Sequence, residues 1–324
     1  MNTSTKLGAY ALGLAALFAG AAVVGDVAGP APEKASERTA AHNTHGGAGP
    51  DDGAGHGGGG QTAAPVPGGL QVSQGGYTLA PKTVTLEPGK KTDFAFSVNG
   101  PDGRPVTRYT TIHGKQLHLI VVRRDMSGFQ HLHPVVNGAG VWTIPLTLPD
   151  PGAYRMFTDV QPEGVKEQFT LGADLTAPGD HRPADLPEPV QVAKVDDYEV
   201  RLAGALQPGR TSRLTLSVAK DGEPVTDLEP YLEAYGHLVA LRSGDLAYLH
   251  VHPDGEPGDG RTRPGPEITF YAEVPSVGTY RLYLDFQHEG KVRTAEFTVV
   301  AGGASAPQQP ATGGGGHGDD GHAH

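Results

Sequence analysis

The sequence contains no cysteine, one tryptophan and three methionines, and its acidic residues outnumber its basic ones. The lack of cysteine excludes a thiolate zinc finger, a disulfide scaffold and a blue-copper centre, because each of these requires cysteine side chains. The 25 lysines and arginines against 36 aspartates and glutamates give a formal net charge of −11. This balance excludes a broadly basic nucleic-acid binder, and we expect no nucleic-acid partner. Trp142, the single tryptophan, is expected in a hydrophobic core.

An uncharged apolar run, LGAYALGLAALFAGAAVVG, occupies residues 7–25 between Lys6 and Asp26. Its length fits a secretory signal core or a membrane-spanning helix. We expect residues 1–28 to form an uncleaved signal-anchor helix, because the small-residue sites lie inside the apolar run; a cleaved signal peptide is the alternative. The positive charge before the run predicts a cytoplasmic N-terminus. The bulk of the chain is therefore expected outside the cell, either on a single-pass membrane protein or on a secreted one.

Two flanking stretches are rich in glycine, proline and histidine and poor in large apolar side chains. Residues 29–69 and 302–324 cannot bury enough surface to offset the entropy of ordering, so we expect a disordered stalk and a disordered tail. The tail carries three histidines beside acidic residues, and such a chain can chelate divalent metal loosely. These candidate ligands are His317, His322 and His324.

The chain between these flanks is an internal repeat. The clearest pairs of matching segments are DGRPV with DGEPV, HLHP with HVHP, and GAYR with GTYR. They begin at residues 102 and 221, 131 and 250, and 152 and 278. The repeats are therefore assigned to residues 70–175 and 190–301, joined by a proline-rich linker at 176–189.

Each repeat is a series of short segments in which apolar and polar residues alternate between turn signals. Residues 94–98, FAFSV, have this pattern, and residues 214–218, LTLSV, have it at the corresponding place in the second repeat. Alternation with period two indicates half-buried strands, and units of roughly 105 residues suit a sandwich. The sequence predicts an all-β fold, with two tandem immunoglobulin-like or cupredoxin-like β-sandwiches after the N-terminal hydrophobic helix.

Three histidines recur with the same spacing in both repeats, the second and third following the first by 13 and 15 positions. Side chains two apart on a strand share a face. A hairpin centred between Asp125 and Met126 would place His118 directly across from His133, with β-carbons about 5 Å apart. Three imidazoles are therefore expected to converge in each repeat. The two trios are His118, His131 and His133 in the first repeat and His237, His250 and His252 in the second.

Three neutral imidazoles suit Zn²⁺ or Cu²⁺. The candidate additional ligands differ between the repeats, since Met126 lies at the hairpin turn of the first repeat and His288 follows a late strand of the second. We therefore expect one site in each repeat, with unequal affinities, and favour copper because a thioether suits Cu(I). Asp159 and Asp285 are expected to pair with arginine, and His113 to be solvated.

The same strands support a second interpretation, in which the histidines are ordinary polar members of a packed face. Ile120, Val122, Val239 and Leu241 lie on the face assigned to the histidines. On this interpretation the chain is a structural or adhesive surface module. The sequence contains no Gly-x-Ser-x-Gly elbow, His-Glu-x-x-His helix or P-loop, so we do not expect an enzyme.

The segments QLHLIVVRRDMSGFQHLHP, residues 116–134, and PVTDLEPYLEAYGHLVAL, residues 224–241, resemble a family of secreted or membrane-anchored bacterial proteins. The family occurs in high-GC Gram-positive bacteria, has a His-x-His-Pro signature and is often described as secreted or heavy-metal-binding. The resemblance covers both repeats and implies a β-sandwich with an extracytoplasmic location. It marks the two histidine trios as signature positions without assigning them a role.

The sequence thus predicts an extracytoplasmic protein that sequesters copper or zinc, or hands it on, through the histidines of its repeats. The expected partners are metal ions, another surface metal-handling protein, and the membrane through the N-terminal helix.

Overall fold

Nineteen β-strands make up the regular structure of residues 66–249 and 251–303, the part of the chain that the computed structural model describes. All described residues belong to one compact unit. The expected anchor helix and most of the expected stalk and tail lie outside this part of the chain, as do His250, His317, His322 and His324. Within residues 66–249 and 251–303, no helix has the length and apolarity needed to cross a bilayer.

The first repeat is a sandwich of two antiparallel sheets. Its nine strands are β1 (Ser73–Gln74), β2 (Tyr77–Pro81), β3 (Thr92–Asn99), β4 (Leu117–Arg123), β5 (Gln130–Leu132), β6 (Val135–Val136), β7 (Val141–Leu146), β8 (Gly152–Val160) and β9 (Phe169–Ala177). One sheet has the strand order β1-β2-β3-β7-β6, and the other has the order β5-β4-β8-β9.

The second repeat has the same architecture. Its strands are β10 (Val192–Val195), β11 (Tyr198–Ala203), β12 (Thr211–Lys220), β13 (Glu223–Pro224), β14 (His237–Arg242), β15 (Tyr248–Leu249), β16 (Val251–Pro253), β17 (Glu267–Glu273), β18 (Gly278–His288) and β19 (Lys291–Ala301). The order β10-β11-β12-β17-β16, with β13 beside β12, faces a four-stranded sheet of order β15-β14-β18-β19. The expectation of two tandem β-sandwiches is confirmed.

Period-two alternation produces the core of each sandwich, as the sequence predicted. In β3 the side chains of Phe94, Phe96 and Val98 are fully buried, and Trp142 on the neighbouring strand stacks with Phe96. Each repeat also contains a tyrosine corner, a feature of immunoglobulin-like sandwiches. Tyr154 donates a hydrogen bond from its hydroxyl to the backbone carbonyl of Asp150 at 2.9 Å, and in the second repeat Tyr280 donates to Ser276.

A third apolar cluster lies between the repeats, because the four-stranded sheets pack against each other through their outer faces. The strands at this contact are buried on both faces, and all seven residues of β4 are buried. Tyr283 stacks on Phe129 with ring centroids 4.0 Å apart and donates its hydroxyl to the carbonyl of Met126 at 2.6 Å. The cluster contains Ile120, Val122, Met126 and Phe157 from the first repeat and Val239, Leu241, Leu246 and Tyr283 from the second.

The chain just before the first repeat also joins the two sandwiches. Gly68 accepts a backbone hydrogen bond from Tyr248, and Gly69 donates one to Thr170. Gly69 has a φ of +73°, and a β-carbon at this position would lie 2.3 Å from the Phe157 ring. Only glycine fits here, because any larger residue would push the segment off the sheet.

Leu241→Ala should lower the free energy of unfolding by about 2–5 kcal/mol, the usual cost of emptying a buried leucine site. Leu241 is fully buried because the first repeat covers the face on which it lies. Urea unfolding followed by circular dichroism measures this cost. Val300→Ala, at a half-exposed position of the same repeat, is the control and should cost less than about 0.5 kcal/mol. Equal costs for the two variants would contradict docking of the repeats.

Candidate metal centre

The hairpin that carries the first histidine trio has the predicted register. Strands β4 and β5 pair Leu119 with Leu132 and Ile120 with His131. The next step of this ladder places His118 opposite His133, just beyond the end of β5. The sequence prediction of the hairpin register is therefore confirmed, and His131 and His133 stand on the same side of it.

The three imidazoles of this hairpin converge. Their ring centroids are 5.3 Å apart for His118 and His131, 5.1 Å for His118 and His133, and 4.8 Å for His131 and His133. Each ring offers a nitrogen within 4.8 Å of the other two. Rings that share one tetrahedral ion at metal–nitrogen bonds of about 2.0–2.1 Å have centroids about 5 Å apart. We call His118, His131 and His133 the triad; it could hold a metal ion.

In two triad rings, the nitrogen that points away from the other rings forms a hydrogen bond that fixes the tautomer. His118 Nε2 lies 3.1 Å from the carbonyl oxygen of Ile112, which can only accept, so this nitrogen carries the proton. His131 Nδ1 lies 2.7 Å from Asp285 Oδ2 and donates to that carboxylate. The remaining nitrogens, His118 Nδ1 and His131 Nε2, face each other at 3.1 Å. When both rings are neutral, two lone pairs therefore meet with no proton between them.

The third ring, that of His133, adds a nitrogen that has no hydrogen-bond partner among the described residues, whether or not it carries a proton. This nitrogen, Nε2, is buried. Burial lowers the pKa of His133 to about 3, and burial also lowers the pKa of His118 to about 3. Both rings are therefore neutral at pH 7, in the form that binds a metal ion.

The carboxylate that orients His131 comes from the other repeat. Asp285 on β18 is 2% exposed and also accepts a hydrogen bond from Thr294 at 2.6 Å. The expectation that Asp285 pairs with arginine is wrong, because docking of the two sheets places it against His131 instead. A carboxylate behind a ligating imidazole is a common second partner in metal sites, where it fixes the ring orientation and raises the basicity of the ligand.

The second repeat does not build a matching trio from its described histidines. His237 lies beside the triad, with its ring centroid 6.3 Å from that of His118 and 6.2 Å from that of His131. His252 is exposed on β16, which pairs with β17 in the other sheet of the sandwich. The chain has already crossed between the sheets at this point, so His252 stands apart from the triad. The described histidines therefore form one cluster to which both repeats contribute. The second expected site includes His250, which lies outside the described residues, and it stays a prediction.

The proposed extra ligands lie elsewhere. Met126 is packed in the apolar cluster between the repeats. His288 is buried at the end of β18, where its ring bonds to the Tyr198 hydroxyl at 2.7 Å and to Asp227 at 3.1 Å. Met126 therefore has a packing role, so the expectation that it is an additional ligand is wrong. His288 is held by two hydrogen bonds away from the triad and is not a ligand there.

Sequence reasoning missed His113, which was expected in solvent. Its ring lies 5.4 Å from that of His237 and 6.4 Å from that of His118. These residues border a cavity of about 70 Å³ that opens beside the triad. It is lined by polar residues including His113, His118, His131, Asp159, His237 and His252. The position of His113 five residues before His118 was the only signal, because the second repeat has no histidine there.

A family model described as a domain of unknown function, DUF8832, matches residues 71–176 and again residues 193–303. The chain belongs to this family. Its two DUF8832 domains correspond to the two β-sandwiches, and the triad lies in the first of them. No curated protein matches the chain.

Solved structures with similar strands include an adhesin, an S-layer protein and titin. The chain is similar to the Escherichia coli adhesin FdeC at 14% identity and a TM-score of 0.23, over 71% of this chain and 65% of that one. It is similar to domains 5–6 of the S-layer protein SbsC at 10% identity and a TM-score of 0.20, over 70% and 98%. Titin A168–A169 matches at 8% identity and a TM-score of 0.18, over 69% and 96%. At these scores the similarities carry no inference about function.

The lowered pKa values of the triad predict loss of stability in acid. In the unfolded chain His118 and His133 take up protons near pH 6.5, whereas the folded chain resists protonation until about pH 3. The unfolded state binds more protons between these values, so the stability contributed by the neutral rings is lost as the pH falls from 6.5 towards 3. Urea unfolding of the metal-free chain at about pH 7 and about pH 4.5 measures this loss.

His118→Gln combined with His133→Gln should make the loss smaller, because glutamine does not titrate. His181→Gln is the control, since His181 is exposed and bonds only to the carbonyl of Pro151. An equal loss of stability in the wild type and in the double variant would show that these two rings are not buried in the neutral form.

Proposed function

We propose that the chain is an extracytoplasmic metal-binding protein that holds one Zn²⁺ or Cu²⁺ at His118, His131 and His133. The protein would sequester this ion or hand it on. The carboxylate of Asp285 would orient His131, and the carbonyl of Ile112 would orient His118. No catalytic step is part of the proposal.

The arrangement of lone pairs is the observation that carries the proposal. Two ring nitrogens at 3.1 Å, each on a ring whose other nitrogen already donates, repel each other unless a cation lies between them. Nitrogens that share a tetrahedral zinc ion with bonds of about 2.0–2.1 Å lie about 3.3 Å apart. A proton held as imidazolium would also relieve the repulsion, and the metal titration below distinguishes the two.

The donor set favours Zn²⁺ or Cu²⁺ over Cu(I). Imidazole suits both divalent ions, whereas the thioether that would favour Cu(I) is packed in the apolar cluster between the repeats. Three protein nitrogens leave a fourth coordination position, and the adjoining cavity offers space for a water molecule there. An open position allows ligand exchange and therefore suits an ion that is passed on.

The extracytoplasmic location is part of the proposal and rests on the apolar run at residues 7–25. An anchored or secreted protein meets metal ions that have not been buffered by the cytoplasm. The expected partners remain the ions themselves, a second surface metal-handling protein, and the membrane through the N-terminal helix.

A structural role is the second candidate, and the apolar cluster between the repeats favours it. Eight buried residues hold the sandwiches together without any ion, so the pair would act as a rigid surface module even without metal. On this interpretation the triad is a set of buried polar side chains and His131 is a partner for Asp285. Metal would then leave the stability of the chain unchanged.

Isothermal titration with Zn²⁺ and with Cu²⁺ tests the metal proposal. It uses the full-length chain with the six histidines at positions 42, 45, 56, 317, 322 and 324 changed to alanine, called the reference chain below. The reference chain should bind about one equivalent, and His118→Ala with His133→Ala should abolish that binding. His181→Ala is the control and should leave binding unchanged. Absence of binding by the reference chain, or no metal-induced rise in unfolding temperature, would favour the structural role.

Asp285→Asn should weaken metal binding by the 10–100-fold that loss of an orienting partner usually costs. Asparagine cannot hold the His131 proton as strongly as a carboxylate, so the ring is less well oriented and less basic. Asp227→Asn is the matched control, because Asp227 forms the same kind of pair with His288 away from the triad. Equal metal affinities in the two variants would show that Asp285 does not support metal binding. Competition with a chelator of known affinity gives both values.

A further inference from the structure

We propose that a divalent cation reaches the triad through a groove bordered by His113 and His252, and that these two histidines carry the ion during loading and release. This inference rests on the metal-binding function proposed above. It assigns a role in transfer to two histidines that lie outside the triad.

Two of the three triad rings, those of His118 and His131, are shielded from direct contact with solvent. His118 is 7% exposed, the His131 side chain is 6% exposed, and the outer nitrogen atoms of both rings are bonded to Ile112 and Asp285. The nitrogens that would bind an ion point inwards. The cavity that His118 and His131 border therefore offers the path to them.

The outer wall of that cavity is shared with a second, larger space. His113, His252 and Pro253 border both the inner cavity and an outer cleft of about 590 Å³. Glu233 and Glu256 line the outer cleft as well. We call this cleft the access groove. Its two histidines stand where the groove meets the cavity of the triad.

The chemistry of the access groove suits a cation in transit. Carboxylates at its rim raise the local concentration of cations, and imidazole nitrogens are ligands that Zn²⁺ and Cu²⁺ accept. The side chain of Glu233 lies close to Gly114, the neighbour of His113. Within residues 66–249 and 251–303, the triad is the group of three or more such side chains whose donor atoms lie close enough together to hold an ion.

A residue on the path changes the rates of binding and release without changing the end states. Removing His113 and His252 should slow association and dissociation by the same factor, because both cross the same barrier. The equilibrium affinity of the triad then stays the same. A ligand of the bound ion behaves differently, since its loss weakens the affinity.

Stopped-flow mixing with Cu²⁺ and chelator-driven release measure the two rates on the reference chain. His113→Ala with His252→Ala should slow both rates severalfold and by the same factor, because the ion then crosses the groove without its two imidazole ligands. The dissociation constant should change by less than about twofold. His181→Ala is the matched control and should change neither rate.

Glu233→Gln with Glu256→Gln is a second variant that keeps the histidines. It should slow association at low salt and lose this effect at high salt, because screening removes long-range attraction. Unchanged rates in both groove variants would overturn the proposal. A weakened affinity with unchanged association would also overturn it and would make His113 or His252 a ligand instead. Failure of the reference chain to bind either Cu²⁺ or Zn²⁺ would refute the metal function itself, whereas binding with unchanged rates in both groove variants would refute only the route.

Discussion

The packing of the two four-stranded sheets against each other determines the properties of the histidine cluster. The outer face of each sheet carries apolar side chains at one end and polar ones at the other, which are the triad on the first sheet and His237 with Asp285 on the second. Docking brings both ends together. Burial keeps His118 and His133 neutral and brings Asp285 of one repeat against His131 of the other. An isolated first repeat would lose the part of this burial that the second repeat supplies, which would make protonation of these rings easier.

Burying polar rings beside an apolar cluster is costly unless each ring nitrogen has a partner. His118 Nε2 and His131 Nδ1 have partners, which are the Ile112 carbonyl and the Asp285 carboxylate. The nitrogens on the inner side of these two rings face each other, and His133 Nε2 has no partner among the described residues. Unsatisfied buried groups of this kind occur where a protein keeps a binding function at the expense of stability. The apolar cluster nearby supplies the stability that the polar end lacks.

The sequence was sufficient for features that depend on local patterns. The alternation of apolar and polar residues predicted the sandwiches, and the repeated spacing of His118, His131 and His133 predicted the hairpin register. Contacts between the repeats could not be predicted from the sequence, because His131 and Asp285 are 154 positions apart and share no local pattern. The apolar residues on the histidine face, such as Ile120 and Val239, were the available signal for docking. They indicated a packed face but not what covers it.

The two repeats have diverged in role although both keep the histidine signature. In the second repeat the chain crosses to the other sheet by Val251, so His252 pairs with Tyr271 and is exposed. In the first repeat β6 begins only at Val135, and His133 still belongs to the hairpin end. Because the crossover comes earlier in the second repeat, His252 lies away from the triad, whereas Asp285 and His237 still face the triad. The first repeat therefore supplies the triad, and the second repeat holds His131 through Asp285 and lines part of the cavity beside the triad.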